Sequence, residues 1–179
     1  MVIGFLRYVG TVNAAVWFGA AIFFTFVAGP GIFSEEMHSV LGADQTTFIF
    51  YAGGVAMVLI KRYFGLQYFC AVVAFFQLFA ERLYLGKKVS RFTLGLLMGI
   101  VLLVLLGGFW VQPKLRGLRE TMYHGPTQTQ KDQARHTFNV WHGTSMALNF
   151  LVVAGLCVYL VRVNRPPEAG RYGTVYQIP

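Results

Sequence analysis

Asn139, His142, Ser145 beside Met146, and Asn149 recur three or four positions apart. That spacing sets side chains on one face of a helix. In an apolar segment, such a face is where an imidazole ligates haem or copper, or lines a path for a small solute or metal ion. A haem in a helical bundle takes axial ligands from facing spans, yet the other histidines, His38, His124 and His136, fall outside the apolar runs. Copper would draw on Met37, His38, Met122, His124, His136 and Met146, which show no repeated Met or Cys spacing. The plain alternative is an imidazole near a membrane interface, hydrogen-bonded within its bundle. No cofactor is expected on this reading, with haem or copper at His142 as the alternatives.

Other chemistry finds less footing. The apolar runs hold no carboxylate pair, no Gly-rich phosphate loop follows a strand, and no Ser-His-Asp set converges. The chain is therefore expected not to be an enzyme. A proton pump needs a relay of intramembrane ionisable groups, and few are present. Cys70 and Cys157 both lie in apolar segments, where a thiol acts as a small hydrophobe rather than as part of a disulfide framework.

These residues sit in a chain of 179 residues with 56% hydrophobic and 12% charged positions and a mean hydropathy of +0.56. Soluble domains carry about 25% charged residues, and disordered chains need low hydrophobicity, so an integral membrane protein remains. The formal charge of +8 comes from Lys and Arg placed between apolar runs. There they anchor loops at anionic headgroups and do not form a nucleic-acid surface.

Charge-free stretches long enough to cross a bilayer predict an all-α bundle of four transmembrane helices, over about 8–29, 63–80, 92–112 and 138–161. Pro30-Gly31 ends the first span and Pro113 the third, while Lys61-Arg62 and Glu81-Arg82 bracket the second, the latter as an interfacial ion pair. A shorter apolar run, about 44–60, is weakened by Gly53-Gly54 and reads as an interfacial or re-entrant helix, or as the first half of a helix continuing through Lys61-Arg62. Residues 114–137 are polar and contain Gly125-Pro126, which predicts a helical extension of the third span followed by a turn. Residues 1–165 form one membrane domain, and 166–179, with Pro166-Pro167, form an extended tail. The first apolar run is too long for the core of a signal peptide.

An even number of spans puts both termini and the Lys87-Lys88 loop on one side, here side A, and both long connections on side B. Glu35, Glu36, the 44–60 helix and residues 114–137 then share one surface, where they can pack as a cap. Lys and Arg barely separate the two sides. Side A has Arg7, Arg82, Lys87, Lys88, Arg91, Arg162, Arg165 and Arg171, while side B has Lys61, Arg62, Lys114, Arg116, Arg119, Lys131 and Arg135. The short basic loop favours a cytoplasmic side A.

Depth then selects neighbours. In the first span Gly10, Asn13, Trp17, Ala20 or Ala21, and Phe24 form an inward stripe with small residues for close packing. Gly95 and Gly99, then Gly107-Gly108, favour tight contact of the third span with another helix. His142 should share its level with Gln112, Trp110, Tyr63, Arg62 and the Pro30 turn, whereas Asn13 lies nearer Asn149.

The chain also resembles the transmembrane-protein-205-like family, known in bacteria as domain of unknown function 4149. The resemblance rests on Trp17-Phe18-Gly19, Phe26-Val27-Ala28-Gly29-Pro30, Ala52-Gly53-Gly54, Arg62-Tyr63-Phe64, Gln112-Pro113, Phe138-Asn139, His142-Gly143 and Asn149. It extends to about Arg162 and implies a small four-span bundle without established enzymatic activity, in a bacterial inner membrane. The Lys-rich loop and the tail depart from the pattern.

Three functions follow as expectations. The first is an accessory or structural subunit packing against lipids and other membrane proteins, or against further copies of itself. The second is small-solute or metal-ion transport or resistance through His142, Gln112 and Asn149. The third is a haem-binding electron-transfer subunit.

Overall fold

The computed structural model describes residues 2–42, 44–85 and 90–164. The Lys87-Lys88 loop, Arg165, Arg171 and the tail 166–179 lie outside the described residues. Every described element is helical: α1 (Val2–Phe23), a π-helical turn (Phe24–Ala28), α2 (Gly29–Ile32), α3 (Glu35–Leu41), α4 (Gln45–Leu85), α5 (Arg91–Leu105), a second π-helical turn (Leu106–Val111), α6 (Gln112–His124) and α7 (Gln128–Asn164). Four stretches, Gly4–Ile32, Gln45–Tyr84, Arg91–His124 and Gln128–Asn164, are long and apolar enough to cross a membrane. The protein is a multi-pass helical bundle.

Neither intramembrane proline stops its helix. Proline lacks an N–H, and its ring collides with the carbonyl four residues earlier. Here that carbonyl belongs to Phe26 for Pro30 and to Phe109 for Pro113, and both residues lie in the π-helical turns. The wider turn shifts bonding five residues back, Gly29 N–H to Phe24 O and Gln112 N–H to Gly107 O, which moves the obstructing carbonyl aside. The first span therefore continues to Ile32, and the third runs on as α6 to His124. Gly125-Pro126 then makes the expected turn into α7.

The run at 44–60 is not a separate helix, because α4 is continuous over 41 residues. Asp44 caps its start, with Oδ2 accepting from the backbone N–H of Thr46 at 3.0 Å and of Thr47 at 3.1 Å. Hydrogen bonds from Thr47, side chain first, hold the Asp44 carboxyl below its ordinary pKa. At 1.5 Å per residue the helix is about 60 Å long, twice the hydrocarbon thickness. Exposed Lys61 and Arg62 lie near its midpoint and mark a depth without breaking the helix. Its first half lies at the side-B end of the bundle, where Phe48 and Ala52 pack with Ile32.

In the membrane the core joins all four spans. Ala14, Trp17 and Ala21 of α1 meet Tyr63, Cys70, Ala71, Ala74 and Leu78 of α4, Leu97, Ile100 and Val104 of α5, and Val152, Leu156 and Tyr159 of α7. Tight glycines sit where spans touch. A Cβ on Gly107 would lie 3.1 Å from the Phe64 ring, and one on Gly108 would overlap the Tyr68 hydroxyl. Gly95 and Gly99 behave otherwise: both are exposed, and nothing lies within 4 Å of an added Cβ. The Gly95–Gly99 step, expected to give tight contact with another helix or another membrane protein, meets no helix of this chain and faces outward, because α5 turns Leu97, Ile100 and Val104 inward instead.

On side B the expected cap is present. Ile32, Phe48 and Ala52 form a second apolar cluster, and α6 packs antiparallel against α7. Arg119 of α6 clamps α4, donating to the Phe50 carbonyl and, at 3.4 Å, to Met57 Sδ. Its guanidinium also lies 5.3 Å from the centroid of the Phe50 ring and 5.5 Å from that of Tyr123. Gly53 makes room for it, since a Cβ there would stand 3.0 Å from Arg119 Nε.

Candidate functional site

The polar groups that meet inside the membrane form one network centred on α4. Trp17 Nε1 donates to Gln67 Oε1, and the Gln67 side chain also reaches the Tyr63 hydroxyl. Tyr63 donates to Asn149 Oδ1 at 3.0 Å, and Asn149 Nδ2 donates to Thr25 Oγ1 at 2.6 Å. Thr25 closes the chain by donating to the Ala21 carbonyl at 2.6 Å. The network leaves α1 at Trp17, crosses α4 and α7, and returns to the first span at Thr25 in the π-helical turn. One turn towards side A, Asn13 Nδ2 donates to the Cys70 carbonyl at 2.9 Å. Phe24 stacks on Tyr63 with centroids 4.3 Å apart.

The local reason is a stripe on α4. Tyr63, Gln67, Cys70, Ala74, Gln77 and Glu81 follow steps of four and three, so all six face the bundle axis. In the first span, Gly10, Asn13, Trp17 and Ala21 are buried and Phe24, at the start of the π-helical turn, is half-buried, as their spacing predicts. Glu81 forms no ion pair with Arg82; it turns inward and accepts from Gln77 Nε2 at 2.8 Å.

The stripe expected on α7 does not hold together. Asn149 is half-buried and bonded to Tyr63, and Ser145 is half-buried, but Asn139, His142 and Met146 are exposed. Buried Val152, Leu156 and Tyr159 set the inward face of α7, and His142 lies off it. At the side-B end the helix leaves the hydrocarbon, so an outward imidazole or amide is solvated at little cost. His142 stacks on Phe138 of its own helix, at 5.8 Å and 7°. Of its expected neighbours, Trp110 is at the same level, packed edge-on against Trp141 beside His142, while Arg62 is exposed and Gln112 is half-buried at the start of α6.

Each histidine has its own setting. His38 contacts Phe48 at 4.6 Å and Glu35 at 3.7 Å, His124 ends α6, and His136 is exposed on α7. Among the described residues, no group of three His, Cys, Asp or Glu could hold a metal ion.

Gln67 and Thr25 were not expected in the network, nor Tyr159 in the core. The glutamines could have been found from their place in the four-three stripe with Tyr63 and Glu81. Thr25 carries no such signal, because a threonine in a span ordinarily bonds its own helix.

The model of a family described as a domain of unknown function (DUF4149) matches residues 12–124, and the chain belongs to that family. No curated protein and no solved structure matches the chain.

Proposed function

We propose that this member of a family without an assigned activity is a non-enzymatic accessory subunit, which docks onto another membrane protein through the outer face of its side-B cap. One observation carries the reading. The first half of α4 projects beyond Lys61-Arg62, has no charged residue between Asp44 and Lys61, and leaves Tyr51, Val55 and Val58 between 52% and 62% exposed. With Lys61-Arg62 taken as the membrane interface, this stripe lies outside the hydrocarbon, where exposed apolar surface marks an interaction site. The interior supports the same reading, because the network's polar groups are engaged with one another and do not line a solute path. Likeness to the transmembrane-protein-205-like family, and an inner-membrane location in a bacterium, belong to this proposal and rest on the motifs given above.

A photo-crosslinking residue at Val55 tests it, with Val72, 52% exposed within the span, as the lipid-facing control. The expected result is a discrete adduct with a different polypeptide from Val55 and only lipid adducts from Val72. Lipid adducts alone at Val55 would overturn the reading. An adduct of the chain with itself would replace it by a homo-oligomer.

A further inference from the structure

Where α6 and α7 pack antiparallel on side B, they enclose an open cleft of about 240 Å³, lined by Leu118 and Thr121 of α6 and by Gln130, Gln133, Ala134 and Thr137 of α7. Its lower end meets the membrane. Trp141 follows Thr137 by one turn on the same face and packs edge-on against Trp110, with centroids 5.4 Å apart. Gly107 touches Phe64, so Trp110, three residues further on, stands level with Lys61-Arg62, at the depth that tryptophan rings favour. Lys114 precedes Leu118 by one turn on the same face, which places it between this Trp pair and the cleft.

Height and chemistry select a ligand. At 1.5 Å per residue, Lys114 and Thr137 stand about 6 Å above the Trp pair, Gln133 about 12 Å, and Thr121 and Gln130 about 16 Å. The headgroup layer adds about 5–8 Å beyond the hydrocarbon, so only the lower half of the cleft is within reach of a lipid. Lys114 is exposed and, among the described residues, has no ion-pair partner. The Thr137 hydroxyl donates to the Gln133 carbonyl of its own helix at 2.9 Å, which leaves its lone pairs to accept from a ligand. The exposed Gln133 carboxamide both donates and accepts. Nearby carboxylates turn away. Glu120, two residues after Leu118, lies on the opposite face of α6, and Asp132 is engaged by Gln128 Nε2 at 3.1 Å.

We propose that the lower half of this cleft binds the headgroup of an anionic phospholipid bearing free hydroxyls, with Lys114 at its phosphate and Thr137 and Gln133 at its hydroxyls. The ammonium supplies the charge, and the threonine oxygen calls for an O–H donor beside it. A headgroup amine would instead bring a second cation next to Lys114, and no carboxylate faces the cleft to receive it.

Native mass spectrometry of the full chain, released from nanodiscs with equal amounts of phosphatidylglycerol, phosphatidylmethanol and phosphatidylethanolamine, tests the site. Phosphatidylmethanol has the same charge as phosphatidylglycerol but no headgroup hydroxyl. The expected result is retention of phosphatidylglycerol in excess of both others. Lys114→Ala lowers that retention about fivefold, the worth of one cation at an anionic surface. Gln133→Leu lowers it about threefold, as loss of one hydrogen bond does, and leaves phosphatidylmethanol unchanged. Both side chains are exposed, so the unfolding midpoint stays where it is. Arg116→Ala, on the other face of α6, and Gln130→Leu, above the headgroup layer, have no such effect. Equal retention of the two anionic lipids overturns the proposal, as does a loss in Arg116→Ala matching that in Lys114→Ala. Displacement of the lipid by millimolar glycerol 1-phosphate would assign the cleft to a soluble phosphate ester and also overturn it.

Discussion

Trp17→Ala is expected to lower the stability of the bundle by about 3–5 kcal/mol, the range for removing a large buried aromatic side chain. Trp17 is 1% exposed, packs on Tyr159 and starts the network through Gln67. The truncation opens a cavity and strands the Gln67 carbonyl, and α1, α4 and α7 all border that space. Trp17→Phe separates the two contributions. It keeps most of the ring volume and loses only the indole N–H, and single hydrogen bonds between membrane helices average about 0.6 kcal/mol. Its cost should stay near 1 kcal/mol. Reversible unfolding in mixed micelles measures both variants; equal costs would mean that the ring is not the keystone of the core.

Arg119→Ala is expected to release the cap while leaving the membrane core intact. The guanidinium contributes bonds to the Phe50 carbonyl and Met57 and contacts with two aromatic rings. Charged hydrogen bonds and cation–π contacts of this kind amount together to about 2–3 kcal/mol. Hydrogen exchange should speed up in residues 45–60 and 112–124, with protection around Trp17 unchanged, because the two regions share no partners. Arg119→Lys should recover less than half of the protection, since an ammonium cannot span the rings and the carbonyl as a planar fork does. Unchanged exchange in the cap of Arg119→Ala would show that α6 and α7 hold α4 without this clamp.

Much of the interior was legible in the residues. The stripe from Gly10 through Asn13 and Trp17 to Phe24 faces inward as its periodicity requires, since a span buried on one side has little choice of face. The α7 stripe misled because polarity marks the inside only at mid-membrane depth. Near an interface, Asn139 and His142 reach headgroups and water by pointing outward.

Lys61-Arg62 left two readings open, a separate helix over 44–60 or one helix continuing through the pair, and the second holds. A pair of cations can set where a helix meets an interface, but helical hydrogen bonding continues past it. Gly95 and Gly99 have the spacing of a contact face, and spacing alone does not identify the contacting partner. Within this chain Gly107-Gly108 meets Phe64 and Tyr68, leaving the earlier pair to the surroundings.

The docking role is tested most directly by the mass of the particle extracted intact from its membrane in native nanodiscs. The account predicts a complex heavier than the 20.0 kDa chain by a second polypeptide of different sequence. Val55→Glu should dissolve that complex without unfolding the bundle. A lone 20.0 kDa chain carrying only lipid, before any substitution is made, would contradict it.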